Sequence, residues 1–181
     1  MFVTQSIMKT PLFALICGLA LAGGGLTRAM AYGPNDATAR TTVMFFEPEK
    51  FTDASDQWNS DLGRPENLAD LKTYLVRTAS RYLAPGQKLS ITITDVDLAG
   101  DFEPWRSSQL SDVRMVRDIY PPRIDLMFRL TDADGQIVKE GKRELRDPNF
   151  MMKLTMDRND PLRHEKNLLD SWLGEEFRST R

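Results

Sequence analysis

The stretch Ile91 to Trp105, "ITITDVDLAGDFEPW", places four carboxylates, Asp95, Asp97, Asp101 and Glu103, within nine residues. Acids at that density can do one of three things. They can hold a cation such as calcium, which takes six to eight oxygens, often from alternate positions of a tight loop. They can meet a basic partner, or they can end a strand in solvent. The calcium-loop pattern is not matched, because no glycine at the sixth loop position is followed by a glutamate at the twelfth. Arginines follow closely at Arg106, Arg114, Arg117 and Arg123 and suit the acids as charge-assisted partners.

The strand that carries these acids decides their direction. Leu89, Ile91 and Ile93 share one face by alternation, but the next apolar residues, Val96 and Leu98, fall on the opposite phase. A strict strand would bury Asp95 and Asp97, at a cost of several kcal/mol each if unpaired. A one-residue bulge near Thr94 and Asp95 returns Val96 and Leu98 to the core and turns both aspartates outward. Both are therefore expected on a solvated face among arginines, with little bearing on stability. The candidate ligand- or partner-binding residues are Asp95, Asp97, Asp101, Arg114, Arg117 and Arg123. No metal ligand, catalytic residue or cofactor is assigned.

Other chemistry is thinly represented. His164 is the only histidine, so no second imidazole can share a metal and any serine nucleophile would depend on it alone. "DADG", Asp132 to Gly135, lies between alternating runs and reads as a hairpin turn rather than a calcium loop. The motifs G-x-S-x-G, H-E-x-x-H and a Gly-rich phosphate loop are absent.

The N-terminus reads as a targeting segment. Lys9 precedes the uncharged run Pro11 to Gly24, and "AMA" at Ala29 to Ala31 fits signal peptidase. Residues 1–31 are thus expected as a cleaved signal peptide, whether translation starts at Met1 or Met8, and the product as periplasmic, with no membrane span left after cleavage. The lone cysteine, Cys17, leaves with the signal. Ile16 occupies the place where a lipoprotein needs a small residue. Lys9 and Arg28 leave too, so 24 − 2 = 22 basic residues face 26 acidic ones. An excess of acid argues against nucleic acid as a partner.

Residues 32–41 read as a flexible leader and 42–181 as a single α+β domain. Val43 to Phe46 are consecutive apolar residues, which suits a central strand covered on both faces. Phe51 and Trp58 are expected to pack onto the body from a turn-rich loop. Leu68, Leu71, Leu75, Ala79 and Tyr82 make a helical stripe behind Pro65 and ahead of Pro85-Gly86. Strands follow from Lys88, through the Asp112 to Ile124 region, and from Ile124 to Leu145 across the Asp134-Gly135 turn. The charged return strand suits a sheet edge. The methionines of "DPNFMMKLTM" are expected to fill gaps against the sheet. A last helix, capped by Asp160 with Pro161 at its first turn, carries Leu162, Leu168, Leu169, Trp172, Leu173 and Phe177. The simplest assembly is a two-layer sandwich, a mostly antiparallel sheet with two main helices on one face.

"ITDVDLAG", "VRMVRDIYPPRI", the "DADG" hairpin and "HEKNLLDSW" together resemble an uncharacterised bacterial exported family, domain of unknown function 3016, from about Thr42 to Phe177. The resemblance implies export and a single domain, and it lends no catalytic residue. The functional expectation is a periplasmic binding or interaction protein without catalytic activity, serving envelope maintenance, whose partner is an envelope protein or a small ligand. The alternative is a metal-dependent hydrolase or calcium-binding enzyme using Asp95, Asp97 and Asp101.

Overall fold

The computed structural model describes residues 40–105, 111–154 and 157–178; the expected signal peptide, most of the expected leader and Arg106 lie outside them. Strand β1 (Thr41–Phe45) leads through helix α1 (Arg64–Ala79) to β2 (Lys88–Asp97). The short strands β3 (Asp101–Phe102) and β4 (Arg114–Met115) precede the hairpin of β5 (Arg123–Thr131) and β6 (Ile137–Arg146), and helix α2 (Arg163–Phe177) closes the chain's described part. The main sheet has the order β1-β2-β5-β6. β1 runs parallel to β2, which requires a long crossover, and α1 supplies it. The other pairings are antiparallel. The fold is an α+β two-layer sandwich.

One sheet face is buried. Val43, Phe45, Leu89, Ile91, Ile93, Val96, Ile124, Leu126, Phe128 and Leu130 meet Leu68, Leu71 and Leu75 of α1 and Leu169, Trp172 and Leu173 of α2. At the α2 end, Phe128, Trp172 and Phe177 pack edge to face on one another, with centroids 5.4–5.7 Å apart, the arrangement aromatic quadrupoles favour. β6 lies at the sheet edge with charged side chains outward, as its sequence predicts.

Five expectations need correction. β1 is an edge strand, not a central one; Val43 and Phe45 enter the core while Met44 and Phe46 stand on the open face. A run of four apolar residues does not say that both faces are covered. Trp58 does not pack onto the body and remains half-exposed, whereas Phe51 is buried against Phe45. Met151 and Met152 are exposed, because the one-turn 3-10 helix Phe150–Met152 aims only Phe150 inward, against the His164 ring. The region from Asp112 to Ile124 gives only the two-residue β4 before β5 begins. Helix α2 also starts two residues after Pro161; Asp160 caps the preceding turn by accepting from the Leu162 amide at 2.9 Å.

Candidate functional site: a charged cleft at the end of the second strand

The β2–β5 register shifts between Ile93 and Asp95, so Thr94 is the extra residue. The bulge sends Val96 into the core and Asp95 and Asp97 to the open face. Beside them, the chain after β1 returns to the same edge of β2. The Asp53 amide donates to the Val96 carbonyl and the Leu98 amide donates to the Asp53 carbonyl, both at 2.9 Å. The strand end, this returning segment and the β3–β4 ribbon together enclose a cleft of about 810 Å³.

Each wall is fixed by an arginine. Arg114 donates to both carboxylate oxygens of Asp53 at 2.8 and 2.9 Å and to the carbonyls of Ser55 and Gly100, while its guanidinium lies 4.5 Å from the centre of the Phe102 ring. Such a planar fork suits Arg and not Lys. Arg117 pairs with buried Glu103 at 3.1 Å, and the Tyr120 hydroxyl donates to the same carboxylate. Gly100 makes the turn between these walls at φ +87, and a Cβ there would stand 2.9 Å from the Met115 carbonyl oxygen. Under the turn, Glu165 of α2 accepts from the Ala99 amide at 2.6 Å. Burial raises the Glu165 carboxyl above its ordinary value.

The floor holds the sequence-predicted acids. Asp95 is fully engaged: it accepts from the Thr52 amide and hydroxyl, each at 2.7 Å, and from Arg123 Nη2 at 3.2 Å. Asp97 is not. Its nearest cation is the same Arg123 nitrogen at 3.9 Å, beyond hydrogen-bond reach. Desolvation pushes the Asp97 carboxyl up to about 6, Arg123 opposes this, and the charges of Asp53, Asp95 and Asp101 add to it. Asp101 accepts from the neighbouring Phe102 amide.

Asp97, Asp101 and Arg123 thus line the cleft, Asp95 and Arg114 brace it, and Arg117 lies behind its Tyr120 wall. Sequence reasoning missed Asp53, Trp58, Arg64 and Arg146. Arg146 was discoverable, because it stands as far after Gly135 as Arg123 stands before Asp134, and the hairpin pairs the two directly. Among the described residues, no group of three or more His, Cys, Asp and Glu side chains is disposed to hold a metal ion, and no helix is long and apolar enough to cross a membrane. His164 lies outside the cleft, buried against Phe150, and burial lowers its basicity.

No curated protein and no solved structure matches the chain. The sequence profile of the family described as protein of unknown function (DUF3016) matches residues 39–175. That span covers most of the chain and all of the cleft, and the chain belongs to this family of proteins of unknown function.

Proposed function

We propose that the chain is an exported, periplasmic binding protein without catalytic activity, with a role in envelope maintenance, and that its ligand occupies the cleft. One observation carries the reading. Charged groups of both signs, carboxylates and arginines, converge with the half-exposed Trp58 ring on one cavity. Convergent polar groups around a concavity are the usual mark of a ligand site. The signal-like N-terminus supports export, and His164 is not among the residues that line the cleft, which argues against a histidine base there.

The test has two arms. N-terminal sequencing of periplasmic material should give Tyr32 as the first residue; uncleaved protein in the inner membrane defeats export. The purified chain, incubated with a small-molecule extract of the native envelope and washed, should retain a compound detectable by mass spectrometry that Arg146→Gln does not retain. Retention by both, or by neither, defeats the cleft reading.

The metal-dependent hydrolase or calcium-binding alternative draws on the crowding of Asp97 by Asp53, Asp95 and Asp101. It is weakened by Asp95, whose oxygens are already occupied. Calcium at a hundred times its dissociation constant would stabilise the fold by about 2.7 kcal/mol. A melt of chelator-treated protein with millimolar calcium, magnesium, manganese or zinc that rises by several degrees, and fails to rise in Asp97→Asn, would favour that alternative.

A further inference from the structure

The cleft floor has an order of charge that a general binding surface does not need. Asp97 pairs in register with Arg123, and Arg123 pairs in register with Arg146. These side chains therefore stand in one row across three neighbouring strands, roughly 4.8 Å apart from strand to strand. The row reads negative, positive, positive, and all three members line the cleft. Like charges directly opposite one another destabilise a sheet, and among the described residues Arg146 makes no direct ion pair, although the next row of the same face, Asp95, Asp125 and Glu144, is acidic. Arg123 directs only Nη2 to its acids, Asp95 and Asp97, and its Nε is buried without a partner. Asp97 is the acid that this arginine leaves underpaired.

Resting on the reading of the cleft as a binding site, we propose that this row recognises the head group of an α-amino acid, the carboxylate between Arg123 and Arg146 and the ammonium on Asp97. An α-amino acid carries both charges on one carbon, so a ligand seated over Arg123 can turn its carboxylate toward Arg146 and its ammonium toward Asp97, whose side chain lies 3.9 Å from the nearest Arg123 nitrogen. The carboxylate would supply the missing charge between two arginines, in the two-pronged geometry guanidinium groups favour. The ammonium would complete the pairing of Asp97. Trp58, exposed in the same cleft, offers an aromatic face for the rest of the molecule. A nucleic acid or a simple anion would meet the Asp97 and Asp101 end unfavourably.

The experiment titrates the purified chain by calorimetry with a panel of common L- and D-amino acids. For the best member it adds two matched analogues, one lacking the carboxylate and one lacking the ammonium; for phenylalanine these are phenethylamine and phenylpropionate. The zwitterion should bind at least tenfold more tightly than either analogue. Arg146→Gln should bring its affinity down to that of the amine, and Asp97→Asn to that of the acid, with thermal melts confirming that both variants fold. Affinity should also fall as pH drops through about 6, where Asp97 takes up its proton. If no member of the panel binds, or the zwitterion binds no better than its analogues, the proposal is wrong. An envelope compound retained through Arg146 that carries no amino-acid head would overturn this inference while leaving the binding function standing.

Discussion

Replacing Asp97 by Asn should stabilise the protein, and the gain should depend on pH. The Asp97 carboxyl is held at about 6 against 3.8 for a free aspartate. The difference, about 2.2, converts at about 1.36 kcal/mol each to roughly 3 kcal/mol as the most that ionising this group costs the fold. A third of the side chain is exposed, and solvent screens what the burial imposes, so about 1–2 kcal/mol is the expected gain. The sign follows from linkage. Below about 3.8 folded and unfolded chains both hold the proton and the penalty vanishes. Above about 6 both are ionised and the penalty is complete. Asp97 therefore subtracts stability as pH rises between those values.

Urea melts of wild type and Asp97→Asn at about pH 4, 5, 6 and 7.5 read this directly. The variant should be more stable by about 1–2 kcal/mol at the highest pH, a rise of a few degrees in Tm, and no more stable at the lowest. The neighbouring Asp95→Asn serves as the internal contrast. Asp95 accepts three hydrogen bonds, and an amide nitrogen turned toward the Thr52 donors would cost about 1–3 kcal/mol. From the sequence both aspartates are expected to matter little; the structure gives them opposite signs. A destabilised Asp97→Asn at about pH 7.5, or a gain that does not change with pH, would refute the account of its burial.

Trp172→Ala should cost roughly 3–5 kcal/mol, since the ring is buried between Phe128 and Phe177; a melt within a degree or two of wild type would mean that α2 is not docked as described. Arg114→Lys should cost about 1–3 kcal/mol, because Lys keeps the charge but cannot span both Asp53 oxygens and two carbonyls. If Arg114→Lys also leaves amino-acid affinity untouched, the wall it braces does not shape the cleft.

The parts of this fold that are legible in sequence are those in which local pattern and tertiary burial agree. The α1 stripe, the alternation of β5, the Asp134-Gly135 turn and the α2 stripe each place their apolar residues where the period predicts. The bulge at Thr94 was legible for a different reason: the cost of burying two carboxylates is large enough to overrule a strict strand. β1 was misjudged because a fully apolar run says nothing about which face a neighbour covers. Trp58 was misjudged because a loop has no period to constrain it.

The candidate site fell between these cases. Its acids announce themselves by density, but the residues that make them a cleft come from elsewhere in the chain. Asp53 reaches Asp97 only because the chain after β1 rejoins the edge of β2, where the two residues bridge in parallel. That return depends on a non-local pairing no short window contains. Arg146 reaches Arg123 through a hairpin whose register counting from the turn does supply. Without Asp53 and Arg146 the stretch reads as solvated acids near arginines, each pair worth little. With them it becomes a crowded carboxylate beside two facing cations, an arrangement expected to subtract from stability. A sequence that keeps such a conflict on the open face of its sheet, while packing its other face apolar, has the imbalance expected of a surface completed by a ligand.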